Sequence, residues 1–200
     1  MLRWTAAMRK KRSFADDLSK HRTRPLDPLR KLPRSGSVGH SAEVGMVGIE
    51  LRQATPADAA AIRSLTRAAY AKWVALIGRE HQPMTADYEV TLRQHRFDLL
   101  LSGGVPAALI ETVEEDGQLL IENVAVAPRF QRQGFGRMLL AHAERLVRDL
   151  GKVRLRLYTN QRFTENIRLY EQLGYTIDRE EDLGVAVVVR MSKAVDGKVA

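Results

Sequence analysis

The sequence predicts a mixed α/β domain, a β-sheet flanked by helices, that begins near residue 46. From Gly48 onward, short apolar runs of strand length alternate with segments in which apolar residues recur every three or four positions. Glycine-containing turns at residues 102–104 and 114–117 join consecutive predicted strands. A stretch of about 150 residues with this pattern has the usual size of one domain.

The composition is that of a globular protein. Apolar residues make up 44% and charged residues 28% of the 200-residue chain. No apolar run reaches the roughly 18 residues that a membrane-spanning helix needs, so we expect no membrane partner. The chain has no cysteine, which excludes disulfides, a cysteine-based zinc site and a cysteine nucleophile.

The net charge of +8 belongs almost entirely to residues 1–45, which carry eleven Lys or Arg and four Asp or Glu. We therefore divide the chain into a basic, disordered N-terminal extension, 1–45, and a nearly neutral domain, 46–200. An organellar targeting segment and an upstream start before a natural Met46 are alternatives for the extension. Its only aromatic residues are Trp4 and Phe14, so we predict no nucleic-acid partner.

The first half of the domain begins with a predicted strand at residues 49–53. Thr55, Pro56 and Asp58 then supply an N-cap, a first-turn proline and a first-turn acid for a helix. That helix is predicted to bury Ile62, Leu65, Ala69 and Trp73. A polar stretch, residues 78–87, leads to a short predicted helix at residues 88–95.

The second half alternates strands and helices. We predict strands at residues 98–101, 105–113, 118–126, 153–159, 175–178 and 185–191. Helices are predicted at residues 136–150, ended by Gly151, and 164–173, ended by Gly174. The first of these helices is predicted to bury Leu139, Leu140, Ala143, Leu146, Val147 and Leu150.

A basic, glycine-containing loop lies just before the helix at residues 136–150. Unpaired N–H groups at a helix N-terminus suit a phosphate, and Gly134 and Gly136 let the backbone approach it closely. Arg132 and Arg137 add positive charge. A dinucleotide-binding loop would need a third glycine after Gly136, and a P-loop would need Lys-Ser or Lys-Thr; the sequence has neither.

Three segments together resemble the GNAT family of N-acetyltransferases, over essentially all of residues 46–195. Gln131-Arg132-Gln133-Gly134-Phe135-Gly136 fits the family's Q/R-x-x-G-x-G/A signature. Residues 121–126 are similar to the family's fourth strand, and residues 168–175 to a later helix and the turn after it. The resemblance implies a mixed, mostly antiparallel twisted sheet of about six to seven strands flanked by about four helices.

The resemblance also implies acetyl-CoA as co-substrate, wedged where the fourth and fifth strands splay apart. Main-chain N–H groups of residues 132–137 would hold its pyrophosphate, and the pantetheine arm would pair like a strand with Val124 and Val126. The residues so implied are Val124, Ala125, Val126, Gln131, Arg132, Gln133, Gly134, Phe135, Gly136 and Arg137. We predict no metal, because the five histidines show no metal-ligand spacing.

Two residues are candidates for catalysis. The resemblance implies that Tyr170 is the general acid that protonates the departing thiolate; its alternative role is that of a core aromatic. Glu122 is the candidate general base, because strand alternation predicts that it shares a face with Val124 and Val126. A carboxylate in an apolar strand costs free energy unless it is paired or functional, so Glu122 holding an arginine is the alternative.

The asparagine that often contacts the pantetheine arm in this family lies seven residues before the tyrosine, where this chain has Phe163. Asn160 and Asn166 are the candidates to replace it, with Asn160 as a turn residue the alternative. The resemblance further implies that residues 78–88 line the acceptor site; a solvated loop is the alternative.

The predicted function is transfer of an acetyl group from acetyl-CoA to a primary amine by direct attack in a ternary complex, which needs no protein nucleophile. A non-catalytic acyl-CoA-binding module is the alternative. We expect a small-molecule or peptide amine as acceptor and a cytoplasmic monomer or homodimer. The fold hosts many acceptors, so the sequence does not select one.

Overall fold

Seven strands and five α-helices make up residues 48–196, the part of the chain that the computed structural model describes. The strands are β1 Ile49–Gln53, β2 Arg96–Ser102, β3 Val105–Glu115, β4 Gln118–Val126, β5 Arg154–Asn160, β6 Thr176–Asp182 and β7 Val187–Ala194. The helices are α1 Ala59–Ile77, α2 Gln82–Thr85, α3 Tyr88–Thr91, α4 Phe135–Asp149 and α5 Thr164–Gln172. These elements belong to one compact unit of residues 48–182 and 186–196. The prediction for residues 1–45 lies outside the described range.

Most predicted elements are present, and β1 and β4 begin and end at the predicted residues. The other strands have somewhat different bounds, and Trp73, predicted to be buried, is half-buried. The helix predicted at residues 88–95 is the shorter α3, and the polar stretch before it contains the one-turn helix α2, whose Met84 is buried. Leu150, predicted to lie in the core, is 41% exposed, because α4 ends one residue earlier, at Asp149.

The entry into α1 is a 3-10 turn, Pro56–Asp58, rather than a first α-turn. The Asp58 carboxylate accepts the N–H of Thr55 at 2.7 Å and two bonds from the Arg52 guanidinium at 2.7 and 2.9 Å. The guanidinium also holds the pKa of Asp58 well below its usual range. One carboxylate therefore fastens the end of β1 to the start of the helix.

The strands form one seven-stranded sheet in the order β1-β2-β3-β4-β5-β7-β6. Every neighbouring pair is antiparallel except β4 and β5, which run parallel because α4 connects them. The prediction of a mixed, mostly antiparallel sheet with flanking helices is confirmed. Within residues 48–196 the helices number five, since two helices of four residues each join the longer ones.

Each face of the sheet packs against different helices. On one face, Leu139, Leu140 and Ala143 of α4 are fully buried against alternate residues of β3, β4 and β5, and α5 packs on the same cluster. On the other face, Ile62 and Leu65 of α1 pack against alternate residues of β2 and β3. We call these the α4 face and the α1 face.

The strands β4 and β5 diverge after a short parallel ladder. Their pairing runs from Gln118 and Arg154 to Ile121 and Leu157 and stops there. Beyond this point β4 stays paired with β3 as far as Val126, and β5 stays paired with β7 as far as Asn160. Because each strand follows its outer neighbour, a wedge opens between residues 122–126 and residues 158–160.

A β-bulge lies at the apex of this wedge. Thr112 pairs with Ile121 but the next residue, Glu111, pairs with Asn123, so Glu122 is the extra residue on β4. The bulge shifts the alternation: Ile121 lies on the α4 face before it, and Val124 does so after it. The prediction that Glu122 shares a face with Val124 and Val126 is therefore wrong. Glu122 instead contacts Tyr158, whose neighbours Leu155 and Leu157 point the opposite way, to the α4 face.

Two leucines of α4 give a direct test of the packing. Leu139 is fully buried and Leu150, just past the helix end, is largely exposed. We expect Leu139→Ala to lower the free energy of unfolding by about 3 kcal/mol through a core cavity. The same change at Leu150 should cost no more than about 0.5 kcal/mol. Urea unfolding followed by circular dichroism measures both, and equal losses would contradict the assigned helix face.

Candidate active site

The loop before α4 has the backbone geometry of an anion cradle. Arg132 has a φ of 63° and Gly134 a φ of 86°, so two residues of the loop are left-handed. Arg132 is the only described residue other than glycine with a positive φ. Left-handed residues turn successive N–H groups toward the same side, which is the arrangement that binds anions. Gly134 is also the N-cap of α4, and residues 135–137 form its first turn, where N–H groups have no partner within the helix.

Side chains of the loop hold this geometry from within. Gln131 donates to the carbonyl of Val126 at 3.0 Å, and Gln133 donates to the carbonyl of Arg129 at 2.9 Å. Gln131 thus fastens the loop to the end of β4. These two predicted binding residues act on the loop backbone rather than presenting their side-chain amides to solvent.

The remaining residues of the predicted loop divide between core and surface. Phe135 is buried and meets Phe130 edge to face, with ring centroids 5.6 Å apart. The Cα of Gly136 faces Val126, whose Cγ2 would lie 3.9 Å from an added Cβ. Arg137 donates to Gln172 of α5 at 2.7 Å, so its guanidinium links α4 with α5.

The β4 side of the wedge presents backbone and small apolar side chains. Val124 and Val126 are half-buried and pack on the α4 face near Tyr170 and Phe135. Ala125 is buried on the α1 face and pairs with Leu109 of β3. The edge of β4 that would face β5 has no strand partner along residues 123–126. An extended, amide-rich ligand can therefore pair there as a strand would.

Tyr170 of α5 lies at this wedge. Its ring is half-buried in the cluster that contains Val124 and Phe135, and it lies 5.9 Å from the ring of Tyr175. Burial raises the pKa of Tyr170 to about 12, so the hydroxyl keeps its proton at neutral pH. That hydroxyl donates no hydrogen bond to any residue in the described range. Tyr170 is therefore a protonated donor at neutral pH, and its role as general acid stays a prediction.

Glu122 accepts a hydrogen bond from the Tyr158 hydroxyl at 2.5 Å. Tyr158 and Glu122 are the first residues of β5 and β4 beyond their last paired positions. Burial, reinforced by Glu122, raises the pKa of Tyr158 well above its ordinary value, so the proton stays on the tyrosine. Tyr158 is thus one partner of the Glu122 carboxylate.

Further polar residues that the sequence analysis missed gather on the α1 face beside this pair. Tyr70 of α1 donates to Asn123 at 2.8 Å, and burial raises its pKa. Glu111 is only 5% exposed and lies 2.5 Å from Nδ1 of His95. The signal for this cluster was the Glu122-Asn123 pair, since regular alternation would direct one of two adjacent polar residues into an apolar face of the sheet.

The two candidate asparagines differ in their surroundings. The side chain of Asn160 accepts the N–H of Arg162 at 2.9 Å, so it serves the turn after β5. Asn166 is half-buried on the first turns of α5. Phe163, which replaces the family's asparagine, is buried and stacks on Trp73 of α1 with centroids 4.3 Å apart. The wedge is therefore bordered here by an aromatic pair rather than by an amide.

His81, in the segment predicted to line the acceptor site, joins this aromatic cluster. Its ring lies 5.2 Å from Tyr70 and 5.4 Å from Phe163. Its Nδ1 is buried without a hydrogen bond to any described residue. Burial lowers the pKa of His81 to about 4, with a smaller contribution from Arg79, so the imidazole is neutral at physiological pH.

Metal-binding clusters and membrane-spanning helices are both absent from the described range. Among residues 48–196, no three side chains of the metal-binding types come together to hold an ion. In the same range, no helix has the length and apolar character needed to cross a membrane.

Solved structures with the same fold provide the first comparison. PaiA N-acetyltransferase from Thermoplasma acidophilum, in complex with coenzyme A, aligns with a TM-score of 0.65 and 17% identity over 74% of this chain and 99% of that chain. Ribosomal-protein-S18-alanine N-acetyltransferase from Escherichia coli aligns with a TM-score of 0.59 and 21% identity over 76% and 98%. The protein yncA from Salmonella typhimurium, with its cofactor acetyl-CoA, aligns with a TM-score of 0.57 and 22% identity over 76% and 97%. At these identities, the likeness shows a shared fold.

A family model gives the second comparison. Residues 59–175 match the model described as the acetyltransferase (GNAT) family, which covers more than half of the chain. The protein therefore belongs to the GNAT family of acetyltransferases. Comparison with curated protein sequences gave no significant match.

The neutral state of His81 has a measurable consequence. Its folded-state pKa of about 4 lies below the ordinary 6.5, so the unfolded chain takes up the proton first. The stability that the neutral ring contributes is fully present above pH 6.5 and is lost as the pH falls toward 4. An NMR titration of the His81 ring, with the signal assigned by its loss in His81→Leu, should show a midpoint near pH 4. The melting temperature of His81→Leu should fall less steeply than that of the wild type as the pH is lowered from 6.5 to 4. A ring midpoint near 6.5 would contradict the burial.

Proposed function

We propose that the protein transfers an acetyl group from acetyl-CoA to a primary amine, by direct attack of the amine in a ternary complex. The observation that carries the proposal is the wedge between β4 and β5, together with the left-handed loop before α4 and Tyr170, which packs in the same cluster as Val124 and Val126. When bound, acetyl-CoA supplies a thioester whose carbonyl carbon accepts the amine.

The residues of the chain fit such a co-substrate. The left-handed turns at Arg132 and Gly134 and the first turn of α4 would hold the pyrophosphate on main-chain N–H groups, with the guanidinium of Arg132 nearby. Backbone groups of Val124 and Val126 would pair with the pantetheine amides along the open edge of β4. Asn166 is the better placed of the two asparagines to contact that arm, since Asn160 serves its own turn.

Glu122 and Tyr170 would move the protons. As the amine nitrogen bonds to the carbonyl carbon and the carbon–sulfur bond breaks, Glu122 takes a proton from the amine and Tyr170 gives one to the sulfur. Return of the proton from Glu122 to Tyr170 through solvent restores both groups. Because the pKa of Tyr170 is raised, its hydroxyl is protonated at neutral pH and can act as the acid. Direct attack by the amine needs no protein nucleophile.

The acceptor is a small-molecule or peptide amine. The aromatic rings of Trp73, Phe163 and His81 line the end of the wedge near α1, and Glu111 and Glu122 place carboxylates beside it. Carboxylates with aromatic rings favour a cationic amine over an acidic acceptor. A neighbour of the same fold that acts on a ribosomal-protein alanine supports a peptide N-terminus as one such amine.

Removal of the proposed acid should slow the chemistry. We expect Tyr170→Phe to lower kcat by about 100-fold or more, because the thiolate would leave unprotonated. Release of free thiol from acetyl-CoA, with a panel of amines, measures it, and the absence of cysteine keeps the protein's own background low.

Tyr175→Phe is the matched control for Tyr170→Phe. The two rings are neighbours, and the buried Tyr175 hydroxyl has no hydrogen-bond partner among the described residues, so its loss should leave turnover near the wild-type rate. Turnover of Tyr170→Phe at the wild-type rate would exclude the tyrosine as general acid. No thiol release by the wild-type protein with any amine would favour the non-catalytic acyl-CoA-binding module.

The loop can be tested through Gly134. A Cβ at Gly134 would meet no atom within 4 Å, so the open space in front of the loop is where a methyl group would project. We expect Gly134→Ala to raise the dissociation constant of acetyl-CoA about tenfold, since a lost hydrogen bond to a charged group costs about 1.5 kcal/mol or more. Isothermal titration calorimetry measures this constant.

Gly151→Ala controls for backbone strain in that experiment. Gly151 follows the other end of α4, also has a positive φ, 67°, and would also place its Cβ in open space. Both variants should lose a similar 1–2 kcal/mol of stability, roughly the cost of a left-handed alanine. Equal acetyl-CoA affinity in the two variants would show that the loop does not hold the pyrophosphate.

A further inference from the structure

We propose that Tyr158 is a positioning residue for catalysis: its hydroxyl holds the Glu122 carboxylate at the apex of the wedge, ionised and directed toward the acceptor. This inference rests on the proposed function, in which Glu122 is the base. Neither the family match nor the sequence pattern points to Tyr158, which the sequence places in an ordinary alternating strand.

The pair of Glu122 and Tyr158 lies where β4 and β5 begin to diverge. The last parallel pair of β4 and β5 is Ile121 with Leu157, and the next residue on each strand is Glu122 and Tyr158. A side-chain hydrogen bond of 2.5 Å therefore follows directly where the backbone ladder stops. The bond spans the point from which the strands diverge, so it closes the bottom of the wedge.

The bulge is the second argument. Glu122 is the extra residue on β4, since Thr112 pairs with Ile121 and Glu111 with Asn123, so the regular alternation of the strand does not set its direction. A carboxylate in this situation needs another group to fix its rotamer. Tyr158 can do so because its own strand is held firmly, with Tyr158 opposite Arg190 in the ladder between β5 and β7.

The electrostatics are the third argument. A donor that bonds to a carboxylate stabilises its charged form and lowers its pKa. Titratable groups around the pair include Glu111 of β3 with its partner His95, Tyr70 of α1 and Tyr170 of α5. The charge of Glu111 disfavours a second charge on a nearby carboxyl, whereas the bond from the Tyr158 hydroxyl favours it. Burial keeps the proton of that hydroxyl in place.

Removal of the Tyr158 hydroxyl should change the pH dependence of the reaction in one direction. A base works in its deprotonated form, so the acid limb of the pH profile of kcat/KM reports the pKa of Glu122 in the free enzyme. Loss of the Tyr158 hydroxyl raises that pKa. The acid limb should therefore move to higher pH, by about one unit, and activity should recover as the pH is raised above the shifted limb.

The experiment compares Tyr158→Phe with Tyr88→Phe. Tyr88 lies on the same face and donates to the carbonyl of Pro83 at 2.7 Å, so its variant also loses a buried phenol hydrogen bond, but not one to Glu122. We expect the acid limb to shift in Tyr158→Phe and to stay in place in Tyr88→Phe. In the Glu122→Gln background, Tyr158→Phe should lower kcat by less than twofold further. An unshifted limb, or the same loss of kcat with and without Glu122, would overturn the proposal.

A second measurement does not depend on turnover. In protein carrying 13C-labelled glutamate carboxyl groups, the Glu122 signal is assigned with Glu122→Gln and titrated by NMR. Its pKa should be higher in Tyr158→Phe than in the wild type, and an equal pKa in both would overturn the proposal. If no amine is acetylated but this pKa shifts, the proposed function fails while the bond between Tyr158 and Glu122 is upheld as the group that sets the carboxylate.

Discussion

The divergence of β4 from β5 after Ile121 and Leu157 is the constraint on which the candidate site depends. Each strand keeps its ladder with its outer neighbour, so the backbone groups along the inner edges beyond that point have no strand partner. Backbone N–H and C=O groups are costly to leave unpaired once they are removed from water. The wedge therefore persists as a place where water or an amide-bearing ligand completes the sheet. The helix α4 reaches the same place because the parallel ladder of β4 and β5 requires a crossover, and the N-terminus of that crossover lies at the end of β4.

The two faces of the sheet contribute different chemistry to the wedge. On the α4 face, apolar packing of Phe135 and Leu139 holds the helix so that its first turn and the loop before it keep their direction. On the α1 face, the bulge turns Glu122 and Asn123 toward Tyr158 and Tyr70, and every one of these contacts is a hydrogen bond from a phenol. The bulge interrupts the regular pairing of β3 and β4 by one residue and thereby places polar side chains beside the wedge. Bulges commonly redirect side chains in this way near functional sites.

The sequence was sufficient for the elements and for the loop, and insufficient where pairing across the sheet decides the outcome. Residues 49–53 and 118–126 were predicted to the residue, because apolar runs and turn residues mark strands locally. The direction of Glu122 was predicted wrongly, since a bulge depends on how Glu111 and Thr112 pair with β4, which strand alternation alone does not contain. Tyr158 and His95 were missed for the same reason, as their partners lie 36 and 16 positions away. Leu150 was assigned to the core by periodicity, although the helix ends before it.

Among the described residues, the hydroxyl of Tyr170 differs from those of Tyr70 and Tyr158, which both donate to side chains of β4. The Tyr70 hydroxyl donates a hydrogen bond to Asn123 and the Tyr158 hydroxyl donates one to Glu122, while His95 forms a hydrogen bond with Glu111. In each of these pairs, a polar side chain beside the wedge has a partner within the protein. Burial raises the pKa of Tyr170, as it does for Tyr70 and Tyr158, but the Tyr170 hydroxyl donates to no described residue. A half-buried donor that keeps its proton and lacks a protein acceptor is completed only by solvent or by a bound molecule. The fold therefore engages the hydroxyls of Tyr70 and Tyr158 within the protein and leaves that of Tyr170 for a molecule that enters the wedge.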